Sequence, residues 1–204
     1  VEQNAGRADV MVLSTDTLIY GGLVDSRKHN LPLSTLENRL KRIEALKANH
    51  KNIRIYGFGT VMRSPRASGG GTEPSYYADY GPTIFQIAAL QDKLDAGTLT
   101  QAETQKLMSL QASVPVEYLQ DWFSRRQKNM QVNKDLIDEA RNGVFAYFAL
   151  GHDDTSQLSQ SALEGRYLNQ YSKGIPRTQY GSFPGADQLG LLLMARSRTD
   201  ESAE

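Results

Sequence analysis

The chain has 204 residues, 39% of them apolar, which is enough to bury the core of one globular domain or of a large portion of a longer protein. Twenty-three basic residues balance twenty-three acidic ones, and no basic stripe is interleaved with aromatic residues, so a nucleic-acid partner is not expected. There is no cysteine and no apolar run near the roughly 20 residues of a membrane span, which excludes disulfides and thiolate chemistry and predicts a soluble chain, either cytoplasmic or periplasmic/secreted.

Three predicted strands alternate with helices along the chain. The strands are predicted at residues 9–14, 52–58 and 144–150, because these segments are short and almost continuously apolar. Helices are predicted from a capping box at residues 34–37 onward, as two or three helices over 82–141, and at 160–171 and 185–198. The last of these is apolar on nearly every side, so it is expected to pack on several faces.

This alternation predicts an α/β fold with a parallel sheet, either doubly wound or an arc of a larger α/β barrel. Residues 1–204 are expected to form a single α/β domain. Residues 64–75 are rich in glycine and longer than a usual connection, which is typical of a mobile loop or lid. The polar residues 198–204 are expected to form a frayed tail or a linker.

Polar residues follow each predicted strand directly. Asp16 follows the first strand, Arg63 the second, and His152, Asp153 and Asp154 the third. In parallel α/β folds the carboxyl ends of the strands meet at one edge of the sheet, and ligands bind there. We therefore expect these side chains to line one cleft, with Asp153 and Asp154 as the candidate catalytic residues.

Other side chains are expected to contribute to ligand binding at this cleft. Arg126 and Asn133 lie on the ladder of buried positions of the long central helix, so both are expected to point inward. A buried unpaired guanidinium costs several kcal/mol, so Arg126 should meet a ligand anion or an aspartate, or else reach solvent. Arg27 and Arg63 would add two further cations for a polar or anionic ligand, and Tyr20 would hold a hydroxyl group.

The candidate aspartates also have structural interpretations. Asp153 or Asp154 could cap the following helix, Asp187 could stabilise the first turn of the last helix, and Asp16 could form an Asx turn. Adjacent residues of a strand point in opposite directions. We therefore expect one of Asp153 and Asp154 to accept hydrogen bonds from backbone N–H groups near residues 156–157, while the other faces the cleft.

Five segments resemble the successive motifs of the bacterial domain of unknown function 4127 family: STDTLIYGGLVDSR (14–27), YGFGTVMR (56–63), FSRRQKNMQVN (123–133), GHDDTSQLSQSALEGR (151–166) and FPGADQLGLLLMAR (183–196). The resemblance implies a central portion of a longer protein, which flanking segments of the same protein would complete. His152 stands where the family more often has Arg, and Gln188 where it usually has Glu. The resemblance strengthens the site positions and names no reaction.

Three functions are compatible with this pattern, and each would act on a small polar or carbohydrate ligand without an organic cofactor. The first is hydrolysis of glycosidic bonds by Asp153 and Asp154, because such chemistry requires paired carboxylates whose pKa values differ. The second is a metal-dependent hydrolase with His152, one of these aspartates, and Asp16 or Asp187 as ligands. The third is a ligand-binding domain without chemistry.

Overall fold

A computed structural model describes residues 1–67, 71–154 and 156–202, without the side chains of 201–202. Its sheet has four strands in the order β1-β2-β3-β4, and every neighbouring pair is parallel. The strands are β1 (Val10–Ser14), β2 (Arg54–Val61), β3 (Tyr147–His152) and β4 (Tyr180–Pro184). The predicted parallel α/β fold is therefore confirmed.

Helices connect these strands and cover the sheet. Those of the described residues are α1 (Glu2–Ala5), α2 (Thr15–Ile19), α3 (Leu23–Ser26), α4 (Leu33–Asn49), α5 (Tyr77–Asp95), α6 (Gln101–Ser113), α7 (Val116–Arg141), α8 (Gln160–Tyr171) and α9 (Leu189–Ser202). The helix predicted at 160–171 is confirmed as α8. The central segment holds three helices, α5 to α7, and α9 continues through residues 198–202 of the predicted tail.

Helix α4 begins differently from the sequence prediction. Its N-cap is Pro32, whose side chain makes no capping hydrogen bond, so the capping box predicted at residues 34–37 is wrong. The helix starts early enough to take Ser34 into its first turn, where a serine cannot act as the N-cap. The apolar stripe is confirmed, because its four predicted positions are all buried: Leu36, Leu40, Ile43 and Leu46.

The two faces of the sheet are covered by different helices. Ile55 and Phe148 lie in the apolar cluster that includes α4 and α7, whereas Tyr56 and Tyr147 lie in a second cluster with Leu189 of α9. In an arc of an α/β barrel, one face of the sheet would line the barrel interior and carry no helix. Helix α9 occupies that face, so the sheet is open and has helices on both sides.

Helix α9 does not pack on several faces, and that prediction is wrong. Leu189 and Leu193 are buried against the sheet, whereas Leu191, Leu192 and Met194 are 71%, 54% and 56% exposed. The reason is that within the described residues only the sheet side of α9 has a packing partner. No helix in the described part of the chain is long and apolar enough to cross a bilayer.

Strand β4 was not predicted, because its sequence YGSFP contains glycine, serine and proline in place of a continuous apolar run. It lies at an edge of the sheet, where such residues cost less than in a central strand. Phe148 and Leu150 of β3 pair in register with Tyr180 and Ser182. The strand therefore depends on pairing with β3 rather than on its own sequence pattern.

Candidate functional site

Asp16 lies at the carboxyl edge of the sheet, in the first turn of α2. This short helix starts directly after β1, and the Ser14 side chain caps it by accepting a hydrogen bond from the Thr17 N–H over 3.3 Å. The Asp16 side chain is turned toward β2, where its Oδ2 accepts a 2.8 Å hydrogen bond from Thr60 Oγ1. Asp16 is only 4% exposed, so its carboxyl group is almost fully removed from water.

Asp153 lies just beyond the end of β3 and pairs with a buried arginine. Arg27, the residue that follows α3, places its Nη2 2.5 Å from Asp153 Oδ2. Its Nη1 lies 3.7 Å from Glu73 Oε1. Asp153 and Asp16 also interact electrostatically, so the ends of β1 and β3 meet across β2.

Glu73 was missed by the sequence analysis. Its Oε1 accepts a 2.7 Å hydrogen bond from Arg63 Nε, and Arg63 Nη2 lies 2.6 Å from the same oxygen. A single glutamate in a glycine-rich loop has no periodic pattern that would mark it as buried. Of the loop 64–75 that was expected to be mobile, residues 68–70 lie outside the described residues, while Ser64 and Glu73 are buried. We call Asp16, Arg27, Arg63, Glu73 and Asp153 the carboxyl-edge cluster.

Asp154 has the geometry expected of the turn-holding residue. Its Oδ1 accepts a 2.9 Å hydrogen bond from the Ser156 N–H, and its Oδ2 accepts a 3.3 Å bond from the Ser64 N–H. It does not cap α8, because Ser159 does so by accepting from the Ala162 N–H. Asp154 therefore joins the turn after β3 to the segment after β2, while Asp153 faces the cluster.

The two aspartates of the cluster differ in what surrounds them. Burial raises the pKa of Asp16 to about 7; the hydrogen bonds from Thr60 oppose this rise, and the negative charge of Asp153 adds to it. Burial also raises the pKa of Asp153, but the nearby cations Arg27 and Arg63 favour its charged form. The cluster thus contains one carboxyl group that titrates near neutral pH and another that is ion-paired.

Two more candidates lie beside the cluster. Tyr20 is buried, stacks on His29 with ring centroids 5.1 Å apart, and has a pKa well above its ordinary value because of burial and the nearby Asp16 charge. Asp187 is exposed in the segment between β4 and α9, and its negative charge acts to raise the pKa of Asp153. Tyr20 therefore borders the buried side of the cluster, and Asp187 lies on its solvent side.

Arg126 and Asn133 point inward, as predicted, at 1% and 4% exposure. Arg126 binds Glu164 through two 2.7 Å hydrogen bonds and donates to the main-chain carbonyls of residues 62–63. Its partner is thus a glutamate, where the sequence analysis had expected an aspartate, a ligand or solvent. Asn133 donates to the carbonyl of Thr60 over 3.3 Å. Both side chains fix the end of β2 from the α7 side.

His152 points away from the carboxyl-edge cluster, toward α8. Its Nε2 lies 2.7 Å from Ser182 Oγ, and a Cβ atom added at Gly165 would come within 2.5 Å of the His152 ring. It lines a cavity of about 370 Å³ that also borders Asp154. No group of three or more His, Asp or Glu side chains in the described ranges could hold a metal ion. The metal-ligand set considered from the sequence is therefore not assembled.

Comparison with known proteins identifies a family and no reaction. The profile of the family described as "Protein of unknown function (DUF4127)" matches residues 1–204. No curated protein and no solved structure showed significant similarity to the chain. Because the family match extends over every residue of the sequence, the chain belongs to the DUF4127 family.

Proposed function

We propose that the chain hydrolyses glycosidic bonds at the carboxyl-edge cluster, with Asp16 as general acid and Asp153 as its charged partner. The observation that carries the proposal is the position of a buried carboxyl group, with its pKa raised to about 7, beside a second carboxyl group held by Arg27. An aspartic acid with an ordinary pKa near 3.9 would already have lost its proton at neutral pH. With a pKa of about 7, about half of the Asp16 carboxyl groups keep a proton at pH 7 that they can donate.

The two carboxyl groups divide the work of hydrolysis. Asp16 donates its proton to the glycosidic oxygen while the bond from that oxygen to the anomeric carbon breaks. The negative charge of Asp153 stabilises the positive charge that develops on the sugar ring. Water then adds to the anomeric carbon, and the proton it releases restores the acid form of Asp16. Burial raises the pKa of Asp153, and the charges of Arg27 and Arg63 favour its ionised form.

The catalytic pair in this proposal differs from the adjacent pair suggested by the sequence. Asp154 accepts hydrogen bonds from two backbone N–H groups, which is a structural role, so Asp16 replaces it as the second acid. A substrate would approach from the side of Asp153 and Arg63, whose side chains are 17% and 30% exposed. The substrate must enter the cluster far enough to reach the buried Asp16, whose surroundings of low polarity favour its protonated form.

A screen of chromogenic aryl glycosides tests the proposal. We expect Asp16→Asn and Asp153→Asn each to reduce kcat/KM by about 100-fold or more, the range typical of general acid–base catalysis. Glu139→Gln is a matched control, because burial and neighbouring carboxylates also raise the pKa of Glu139 to about 7, but it lies at the far end of α7. Failure to cleave any glycoside, or wild-type rates in both aspartate variants, would contradict the proposal.

A second candidate function is ligand binding without chemistry. The observation that favours it is the close pairing within the cluster, where Arg27 holds Asp153 and Arg63 holds Glu73. Carboxylates that are tied up in ion pairs are less available for proton transfer. The same glycosides separate the two functions. A binding domain would bind a glycoside, as measured by calorimetry, but would not release its chromophore.

A further inference from the structure

A cavity lies beside β4, away from the carboxyl-edge cluster. It has a volume of about 670 Å³, within the range of pockets that hold small molecules. Its wall carries hydroxyl and amide groups from the end of α8 and from β4, namely Asn169, Ser172, Tyr180 and Ser182. The outer edge of β4 has no strand paired to it within the described residues, so this wall is not covered by further sheet.

One hydroxyl group on this wall is buried and poorly paired. Tyr180 is 7% exposed, and its Oη lies beside the Ser172 and Ser182 hydroxyls, which act to lower its pKa, but it meets neither of them with good hydrogen-bond geometry. Each of these serines has a better-formed hydrogen bond to another group, since Ser172 donates to the Asn169 carbonyl over 3.2 Å and Ser182 pairs with His152. A buried hydroxyl that lacks a well-formed hydrogen bond costs free energy, so a ligand oxygen that accepts its hydrogen bond would be stabilising.

The charge of the lining indicates what kind of partner fits. Lys173 and Arg177 are exposed and line the cavity, whereas no Asp or Glu is among its described lining residues. The chain as a whole has no net charge, so this cavity is a local concentration of positive charge. Phe183 adds an aromatic surface on which the C–H face of a sugar ring can pack. Burial raises the pKa of Tyr180 to about 12, which keeps its hydroxyl protonated and able to donate.

We propose that this cavity is a binding site for a small hydroxyl-rich anion, such as a sugar phosphate or a sugar acid. The anionic group is held by Lys173 and Arg177, and a ligand oxygen accepts the hydrogen bond from Tyr180. Asn169 and Ser172 offer further partners for ring hydroxyls. The site does not depend on hydrolysis at the carboxyl-edge cluster, because none of the residues that bind the anion belongs to that cluster.

Isothermal titration calorimetry of the whole chain with glucose 6-phosphate, glucuronate and glucose tests this site. We expect both anions to bind, and neutral glucose to bind at least about tenfold more weakly, which corresponds to 1.4 kcal/mol. Tyr180→Phe removes only the hydroxyl group, so the affinity for both anions should fall about tenfold while Tm does not fall. The double variant Lys173→Gln/Arg177→Gln should bring the anions to the level of glucose.

Two comparisons keep the test specific. Tyr167→Phe is the matched control, because the Tyr167 hydroxyl binds Asp95 on the surface, outside this cavity, and its loss should leave the affinity unchanged. Inorganic phosphate binding as tightly as glucose 6-phosphate would show that the hydroxyl groups contribute nothing, and would overturn the proposal. So would the absence of binding by both anions, or wild-type affinity in Tyr180→Phe. The anion that binds more tightly shows whether the site prefers a phosphate or a carboxylate group.

Discussion

Asp16 and Glu139 lie in different regions of the molecule, yet the pKa of each is raised to about 7. Asp16 is almost fully buried, belongs to a cluster with two arginines, and lies where the ends of three strands converge. Glu139 is half-buried near the C-terminal end of α7, and the charges of Glu44, Asp138 and Asp135 add to the effect of burial on its pKa. The comparison teaches that a raised pKa alone does not mark a functional site. The surrounding cations and the strand ends distinguish Asp16.

Both carboxyl groups affect stability in the same direction. Each has a folded-state pKa above its unfolded value, so the folded protein binds more protons than the unfolded chain between about pH 4 and 7. The stabilisation from each group is therefore fully present at low pH and is lost as the pH rises through about 7. The two regions should differ in the size of this effect and in how it responds to salt, because their pKa shifts have different causes.

The largest effect is expected from Arg27→Met. In the carboxyl-edge cluster this change would leave Arg63 as the remaining cation beside Asp153 and Glu73, at a cost of about 3–5 kcal/mol in the free energy of unfolding at pH 8. Protonation of Asp153, whose pKa is raised by burial, should recover part of the loss at pH 4. Urea unfolding at both pH values measures it, and a loss below about 1 kcal/mol would mean that Arg27 is not a central ion-pair partner.

Asp16→Asn should increase stability at neutral and alkaline pH. An asparagine does not ionise, and its amide oxygen can still accept the hydrogen bond from Thr60. The rise in the pKa of Asp16 from 3.8 to about 7 corresponds to a gain of about 4 kcal/mol at most. At pH 4 the wild-type carboxyl group is already neutral, so the gain should nearly vanish. Denaturant titrations at pH 4 and 8 check this. An equal gain at both pH values would assign it to packing rather than to ionisation.

Substitutions of Asp154 should change the stability less than those in the cluster. The Asp154 carboxylate accepts backbone hydrogen bonds and is not part of the ion-paired cluster. Asp154→Ala should cost about 0.5–2 kcal/mol, because the Ser156 and Ser64 N–H groups lose their acceptor. Asp154→Asn should cost little, because its amide oxygen can still accept. Thermal unfolding of both variants, together with glycoside hydrolysis, separates a turn-holding residue from a catalytic one. A loss of turnover in Asp154→Asn without a loss of Tm would restore the catalytic role.

The smallest effect is expected from Glu139→Gln, with a gain below about 1 kcal/mol at pH 8 once solvent screening is allowed for. Because part of its pKa shift comes from neighbouring carboxylates, the gain should shrink further in 1 M NaCl, where the Debye length is about 3 Å. The gain from Asp16→Asn should persist in the same salt, because burial causes it. Unfolding midpoints of both variants at low and high salt test the contrast. If the gain from Glu139→Gln did not change with salt, the contrast between the two carboxyl groups would be contradicted.

The features that could be predicted from the sequence are those that depend on local patterns. Apolar runs identified β1, β2 and β3, and apolar positions that recur on one helix face identified α4 and α7. Because Asp16 and Asp153 each follow an apolar run, their location at one edge of the sheet could be predicted. These predictions succeeded because strand ends and helix faces follow from residues close together in the chain.

The features that were missed depend on contacts between distant residues. Strand β4 is defined by its pairing with β3, and Glu73 by two arginines from other segments. Whether Arg126 meets a ligand or Glu164 depends on how α8 is placed against α7. Both the outward and the inward face of α9 carry leucines, so only the position of the sheet decides which leucines are buried. None of these contacts leaves a periodic signal.

The long segment between β2 and β3 implies an order of folding. Val10 pairs with Arg54 and Phe148 with Tyr180 across connections of about 30 to 45 residues, whereas Tyr56 pairs with Tyr147 about 90 positions later. Contacts that close shorter loops cost less chain entropy and tend to form earlier. We therefore expect two halves, β1 with β2 and β3 with β4, to form before they join. The ion pair between Arg27 and Asp153 bridges these halves, so the cluster would assemble only in the last step, when the protein becomes native.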